Sequence, residues 1–160
     1  MIGFIITING SMRLSDIVNS DSHWVNLPYP LRPCPEEIEV FKQHILPGKV
    51  LLLGSTYDLL PLCTDAIDLV PKHKQVRYGD WYHLDGFYDT IIGDGVLSWG
   101  YEELIEEISK HCKVFICRVF AKKFPTMKYA THFYNSFPGA EKVAEINDAC
   151  PIFIWKFTKE

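Results

Sequence analysis

The sequence predicts an α/β fold built on a doubly wound, mostly parallel sheet. Short, continuous apolar runs recur along the chain between glycines and prolines, which is typical of strands buried on both faces. Amphipathic helical segments lie between some of these runs, as in βαβ units with right-handed crossovers. With 160 residues, 48% of them hydrophobic, the chain has the length for one continuous core. We therefore expect residues 1–160 to form a single domain, with 1–46 as an N-terminal cap segment and 47–160 as the ligand-binding core.

The N-terminal cap segment is predicted from a proline-rich stretch and the helix that follows it. Trp24–Pro35 (WVNLPYPLRPCP) indicates an irregular connection, and Glu36–Ile45 indicates a helix. Roughly 45 residues make a poor independent core. We therefore expect this segment to pack across the ligand-binding edge of the sheet.

The first half of the core is predicted to supply four strands. Lys49–Gly54 (KVLLLG), opened by Pro47-Gly48, indicates a strand in the centre of the sheet. Ser55–Asp58 offers hydroxyls with an acid three residues on, a pattern like a capping box that predicts a short helix after this strand. Further strands are predicted at Ala66–Val70, Val76–Trp81 and Tyr88–Gly95.

The second half is predicted to supply one helix and two strands. Tyr101–His111 places apolar residues on one side and glutamates on the other, so it indicates an amphipathic helix. Lys113–Phe120 is the predicted fifth strand, and the alternation in Pro151–Phe157 indicates an antiparallel strand at the sheet edge. Because only one clear strand follows the fifth, we expect a shortened C-terminal part. An apolar edge at Ile152–Phe157 would also favour a homodimer.

The charge and cysteine content excludes several classes of function. Lys and Arg number 16 against 20 Asp and Glu, so no positive excess is available to neutralise phosphates, and nucleic acid is not an expected partner. The apolar run Met1–Ile8 is too short to span a bilayer and lacks the flanks of a signal peptide. The cysteines, with no Cys-x-x-Cys pair and no histidine at metal-ligand spacing, predict reduced thiols and no metal site. We expect a cytoplasmic protein without a membrane partner.

Polar and small residues lie at the carboxyl end of each of the first four predicted strands. In an open parallel sheet these ends meet at one edge, and ligands bind where the strand order reverses. Asp68, at the end of the second strand, is placed to accept hydrogen bonds from two ribose hydroxyls, although an Asp before a proline also suits a turn. Asp80 is a candidate to bind an adenine amino group and Trp81 to pack on the base or on a sulfonium, with a surface turn as the alternative. The candidate ligand-binding residues are Gly54, Ser55, Thr56, Tyr57, Asp68, Leu69, Gly79, Asp80, Trp81, Asp94 and Gly95.

The loop after the first strand separates the candidate cofactors. A dinucleotide requires glycines that let backbone N–H groups approach a pyrophosphate, but Gly54–Asp58 contains one glycine. No Gly-x-x-x-x-Gly-Lys-Ser/Thr loop for a nucleoside triphosphate is present either. S-adenosylmethionine carries no phosphate, so one glycine and polar side chains suffice for it.

Five segments, in order, resemble class I S-adenosylmethionine-dependent methyltransferases. They are VLLLGSTYDLLPL, AIDLVP, VRYGDW, YDTIIGDGVLSWGYEEL and VFICRVF, and they resemble most closely a branch with the patterns LLLG-T-P-E-L, GDW and GDG. The resemblance covers roughly Pro30 to Phe120 and includes PLRPCPEEI. It implies a Rossmann-like methyltransferase fold, S-adenosylmethionine as cofactor and methyl transfer to a small-molecule acceptor.

The resemblance also implies a role for each candidate residue. Gly54 to Tyr57 would surround the methionine portion, Asp68 would bind the ribose, Asp80 and Trp81 the adenine, and Asp94 and Gly95 would form the floor near the sulfonium. The chain departs from the family where the usual acidic Gly-x-Gly-x-Gly loop is reduced to Gly54 and where Tyr57 replaces a proline of the branch. The segment between Asp68 and Val76 is also too short for the usual helix.

Asp94 is the candidate catalytic residue, because methyl transfer requires little more than an aligned acceptor and a group that orients it or takes its proton. A turn role within Gly-Asp-Gly is the alternative reading of Asp94. Arg118, inside a predicted strand, is expected either to pair with a carboxylate, which we favour, or to contact a ligand near the strand end. His83 and His132 are the histidines to test as acid-base groups, with a surface position and no such role as the default. An aromatic set either lines an acceptor pocket or belongs to the core: Phe124, Tyr129, Phe133, Tyr134 and Phe137.

Two other classes of function remain open on the sequence alone. A catalytically inactive S-adenosylmethionine-binding or regulatory module would keep Asp68 and Asp80 but lack an acceptor pocket. A dinucleotide-dependent or nucleotide-sugar oxidoreductase fragment is disfavoured by the single glycine of the first loop.

Overall fold

A computed structural model describes residues 29, 31–96, 102–119, 139–146 and 150–157. Within them lie two α-helices, α1 (Pro35–His44) and α2 (Glu102–Ser109), and one 3-10 helix (Tyr57–Leu62). The strands are β1 (Val50–Leu53), β2 (Asp65–Asp68), β3 (Arg77–Tyr78), β4 (Tyr88–Asp94), β5 (Cys112–Arg118), β6 (Ala140–Glu145) and β7 (Pro151–Lys156).

The strands form one seven-stranded sheet in the order β3-β2-β1-β4-β5-β7-β6. β1 pairs in parallel with β2 and β4, β2 with β3, and β4 with β5, whereas β7 runs antiparallel to both β5 and β6. The direction of strand progression reverses between β1 and β4, as in doubly wound sheets. The predicted fold class is therefore confirmed.

The C-terminal part differs from the prediction of a shortened end. β6 pairs with β7 as a terminal antiparallel hairpin, so β7 lies between two strands and is not an edge. All six residues of β6 (AEKVAE) are exposed or half-buried. The strand therefore contains no apolar run from which it could be predicted. The expected homodimer rested on an exposed β7, and this premise is wrong.

Side chains alternate across the strands and build a core on each face of the sheet. On β1, Leu51 and Leu53 belong to one cluster, and Val50 and Leu52 belong to the other. The first cluster includes the apolar side of α2, and the second includes Phe41 of α1 and Leu59 of the 3-10 helix. All four residues of β1 are buried, as the sequence predicts for a central strand.

Helical structure is sparse around the first three strands. The turn after β1 becomes a six-residue 3-10 helix with Pro61 inside it, and Thr56 at its N-terminus makes no capping hydrogen bond. Residues 69–76 contain no helix, as the length of this segment predicts. None of the described helices is both long and apolar enough to cross a membrane.

Candidate functional site

The carboxyl ends of β1, β2 and β4 bring the predicted residues to one edge of the sheet. Leu53 is in register with Ile67 of β2 and with Gly93 of β4. The residues that come next, Gly54, Asp68 and Asp94, therefore lie side by side at the point where the strand order reverses. This crevice is the candidate site.

Gly54 makes the turn out of β1. Its φ of 113° lies in a region that side chains disfavour, and its N–H donates to the Ile67 carbonyl at 2.8 Å. A Cβ atom at Gly54 would lie 3.8 Å from Cζ2 of Trp81. The glycine is therefore required by backbone conformation rather than by crowding.

Asp68 lies at the end of β2 with 6% of its surface exposed. Its Oδ2 accepts hydrogen bonds from Ser55 Oγ at 2.8 Å and from Lys72 Nζ at 2.9 Å. Its Oδ1 accepts the Val70 N–H at 3.3 Å. The sequence places Asp68 and Ser55 correctly in the crevice, but Lys72 was not singled out because it lies in an aperiodic segment.

Asp94, the candidate catalytic residue, is completely buried. Its Oδ1 accepts from Arg118 Nε at 2.7 Å, and its Oδ2 accepts from Arg118 Nη2 at 3.0 Å and from Thr56 Oγ1 at 3.4 Å. The contact with Thr56 joins the loop after β1 to the end of β4. The next residue, Gly95, has a φ of 70° and donates its N–H to the Arg118 carbonyl at 2.8 Å.

Arg118 joins Asp94 to the N-terminal helix. Its Nη1 donates to Glu37 Oε1 at 2.9 Å, and all three side chains of this network are 0% exposed. Burial alone would lower the pKa of Arg118, but the neighbouring carboxylates raise this pKa well above its usual value. The predicted carboxylate pairing of Arg118 is confirmed. Glu37, which also accepts the Cys34 N–H at 2.9 Å, was not identified from the sequence.

The residues after β3 are arranged as part of the core and a turn. Trp81 is 8% exposed and donates its indole N–H to the Ile67 carbonyl at 3.2 Å. Asp80 accepts the Tyr82 N–H at 2.9 Å, which is a local turn interaction. Gly79 is crowded, since a Cβ atom there would lie 3.0 Å from that of Ile67. The adenine-binding roles of Asp80 and Trp81 stay predictions.

Exposed apolar side chains surround this end of the sheet. Among the described residues, the large hydrophobic side chains that are exposed all lie at or just beyond the carboxyl ends of β1, β2 and β3. They are Tyr57, Leu69, Tyr78 and Tyr82, with exposures of 47%, 53%, 72% and 37%. The crevice thus combines buried charges at its base with an apolar rim.

His83, a candidate acid-base residue, is exposed, and its Nε2 lies 3.8 Å from Oδ2 of Asp80.

The remaining candidate residues lie outside the described part of the chain. They are His132 and the aromatic set of Phe124, Tyr129, Phe133, Tyr134 and Phe137. Their assignment to an acid-base role or an acceptor pocket stays a prediction.

No family model and no curated protein matches the sequence, but solved structures resemble its fold. The glycopeptide N-methyltransferase MtfA complexed with S-adenosylmethionine is 12% identical, with a TM-score of 0.55 over 78% of this chain and 87% of that one. TehB from Haemophilus influenzae gives a TM-score of 0.51 at 11% identity, covering 78% of this chain and 63% of that one. Thermoplasma acidophilum protein 1320 gives 0.50 at 16% identity, covering 78% and 84%. The chain therefore has the Rossmann-like fold of class I methyltransferases, as the sequence motifs predict.

Proposed function

We propose that this protein binds S-adenosylmethionine in the crevice at the carboxyl ends of β1, β2 and β4 and transfers its methyl group to a small-molecule acceptor. The observation that carries the proposal is the position of Asp68, a buried carboxylate at the end of β2 beside the turn at Gly54. A carboxylate at this place in a doubly wound sheet is suited to accept the hydroxyls of a ribose. The likeness to MtfA complexed with S-adenosylmethionine supports the same assignment.

The chemistry of the surrounding residues fits a nucleoside without phosphate. Buried carboxylates at positions 68 and 94 suit hydroxyl donors and a cationic sulfonium better than they suit a pyrophosphate. In this proposal Gly54, Ser55, Thr56 and Tyr57 surround the methionine portion. Leu69, Gly79, Asp80 and Trp81 hold the adenine, and Asp94 and Gly95 lie near the sulfonium.

For the proposed methyl transfer, the protein mainly has to align the acceptor with the methyl group and exclude water. S-adenosylmethionine supplies an activated methyl group when it is bound. Arg118 fixes the orientation of the Asp94 carboxylate through two hydrogen bonds. Asp94, held in place in this way, would help to position the acceptor.

A catalytically inactive S-adenosylmethionine-binding module is the second candidate function. It is favoured by the pairing of Asp94, since both oxygens of this buried carboxylate already accept hydrogen bonds from Arg118. Saturable cofactor binding without turnover across a broad panel of acceptors would support this second function.

The first test is calorimetric titration with S-adenosylmethionine and S-adenosylhomocysteine. We expect saturable binding to the wild-type protein and an affinity at least about tenfold lower for Asp68→Asn, since hydrogen bonds to a charged group are worth ~1.5–3 kcal/mol. Asp65→Asn is the matched control, because Asp65 lies at the opposite end of β2 and pairs with Arg77. An absence of binding to the wild-type protein would overturn the proposed function.

A further inference from the structure

The segment that connects β2 to β3 brings two polar side chains into the candidate site. Lys72 is 4% exposed and His73 is 7% exposed, although the segment has no helix to bury them. The ring of His73 lies 5.3 Å from the ring of Tyr57, between centroids. The segment therefore folds back against the loop after β1, and Lys72 is placed beside Asp68.

The ammonium of Lys72 is bonded to the carboxylate that is assigned to the ribose. Lys72 Nζ lies 2.9 Å from Asp68 Oδ2, and this oxygen also accepts the Ser55 hydroxyl. One carboxylate oxygen offers about two lone-pair positions, so Oδ2 has no position left for a further donor. A ribose diol that donates to both oxygens of Asp68 must therefore displace one of these two partners.

Lys72 is the partner that can leave more easily. Ser55 directly follows the turn at Gly54, and its short side chain cannot move far from Asp68. The lysine has a flexible four-carbon stem, and the residues after His73, Lys74 and Gln75, are exposed. Burial lowers the pKa of Lys72 despite the opposing effect of Asp68, which indicates that the ammonium would regain hydration on release.

We propose that Lys72 is a built-in competitor of the ribose and sets the affinity of the cofactor site. Its ammonium occupies the position on Asp68 Oδ2 that a ribose hydroxyl takes when the nucleoside binds, and binding exchanges one donor for the other. This inference rests on the proposed function. It assigns to Lys72 a role that opposes binding, whereas Asp68 promotes it.

The test compares S-adenosylhomocysteine binding to Lys72→Met and to the wild-type protein by calorimetry. Lys72→Met removes the ammonium and keeps most of the apolar stem, so we expect a dissociation constant at least about tenfold lower, in line with the loss of a competing charge-assisted hydrogen bond. Lys72→Gln, which retains a weaker donor, should give an intermediate value. Lys74→Met is the matched control, since Lys74 is an exposed lysine two residues away, and its dissociation constant should equal that of the wild-type protein.

A second ligand tests whether the effect acts through the ribose. The 2′-deoxy analogue of S-adenosylhomocysteine has one hydroxyl fewer to exchange with Lys72, so its gain in affinity from Lys72→Met should be smaller than that of the parent compound. Thermal denaturation of each variant shows whether it is folded. If Lys72→Met does not fold, the comparison of Lys72→Gln with the wild-type protein still tests the proposal.

The outcomes separate this inference from the proposed function. Tighter binding by the Lys72 variants, together with saturable binding to the wild-type protein, supports both. Binding by the Lys72 variants without any binding by the wild-type protein would support the competitor role and overturn the proposed function of the wild-type protein. Wild-type binding with unchanged or weaker binding by the Lys72 variants would overturn the competitor role and leave the cofactor assignment intact. If neither the wild-type protein nor any variant binds, both are wrong.

Discussion

The guanidinium of Arg118 binds the carboxylate of Asp94 through two hydrogen bonds, 2.7 Å from Nε to Oδ1 and 3.0 Å from Nη2 to Oδ2. Both side chains are 0% exposed. Isolated charges are costly to bury, and a pair is tolerated only when the geometry and the remaining hydrogen bonds are good. Glu37 supplies the additional acceptor at 2.9 Å. The predicted catalytic residue is therefore one member of a buried three-residue network.

Removal of Arg118 should strongly destabilise the protein. Arg118→Met leaves two buried carboxylates without their cation, so we expect the free energy of unfolding in urea to fall by about 3–5 kcal/mol. Arg32→Met is the control, because Arg32 binds Asp58 at 2.7 and 2.8 Å with similar geometry but is 38% exposed. That exposed pair should contribute less than about 1 kcal/mol. Equal losses from the two substitutions would contradict the assigned importance of burial.

Asp94→Asn tests the catalytic role. We expect it to lower the rate of methyl transfer at saturating S-adenosylmethionine by about 100-fold, because the amide replaces one acceptor oxygen with a donor and so can no longer be held by Arg118 in the orientation that positions the acceptor. The rate is measured with the first acceptor found in a screen. Glu37→Gln is the control, since it removes the other carboxylate from Arg118. If Asp94→Asn keeps the full rate, or if both variants lose the rate equally, Asp94 is not the catalytic residue.

Asp65 should make stability depend on pH in the acid range. Burial raises the pKa of Asp65, but hydrogen bonds from Arg77 and Tyr88 outweigh this effect and hold its pKa below the usual value. A depressed folded pKa stabilises the protein above the unfolded pKa of about 4, and this stability is lost as the pH falls through the folded pKa. Urea midpoints of the wild-type protein and Asp65→Asn should therefore differ at neutral pH and converge below about pH 4. A difference that is the same at both pH values would contradict this assignment.

Cys112 should resist alkylation while the protein is folded. Its side chain is 2% exposed, and burial raises its pKa to about 12, so almost no reactive thiolate forms at neutral pH. Iodoacetamide followed by peptide mass analysis should show modification of Cys112 only after urea is added. Modification in native buffer as rapid as that in urea would show that this side of the sheet opens readily.

The sequence predicts those strands that are buried on both faces, because such strands consist of continuous apolar residues. β1 and β4 are buried along almost all of their length and were located from their sequences. β6 was missed because its pairing with β7 depends on backbone hydrogen bonds that carry no sequence signal. Arg118 was predicted to need a carboxylate, but its partner Glu37 is 81 residues away in the sequence. Local patterns cannot reveal a contact at that separation.

The same limit applies at the candidate site. Asp68 and Asp94 were identified because the carboxyl ends of parallel strands converge on one edge. Lys72 follows Asp68 by four residues, but its approach depends on how a segment without periodicity folds back. Trp81 was predicted to pack on a ligand, and this role stays a prediction. Most of the Trp81 ring is buried, and its N–H donates to a carbonyl of β2. Its orientation is determined by packing that no local motif encodes.

The two outer strands of the sheet have features that oppose the addition of another strand through the backbone. β3 has two residues, one of them Arg77, and β6 carries the exposed charges of Glu141, Lys142 and Glu145. Short strands and charged side chains are the means by which natural sheets prevent another strand from adding to an open edge. The apolar β7 is enclosed between β5 and β6. Loss of β6 would therefore expose β7 as an aggregation-prone edge strand. β6, although its sequence has little apolar patterning, protects β7 by pairing with it.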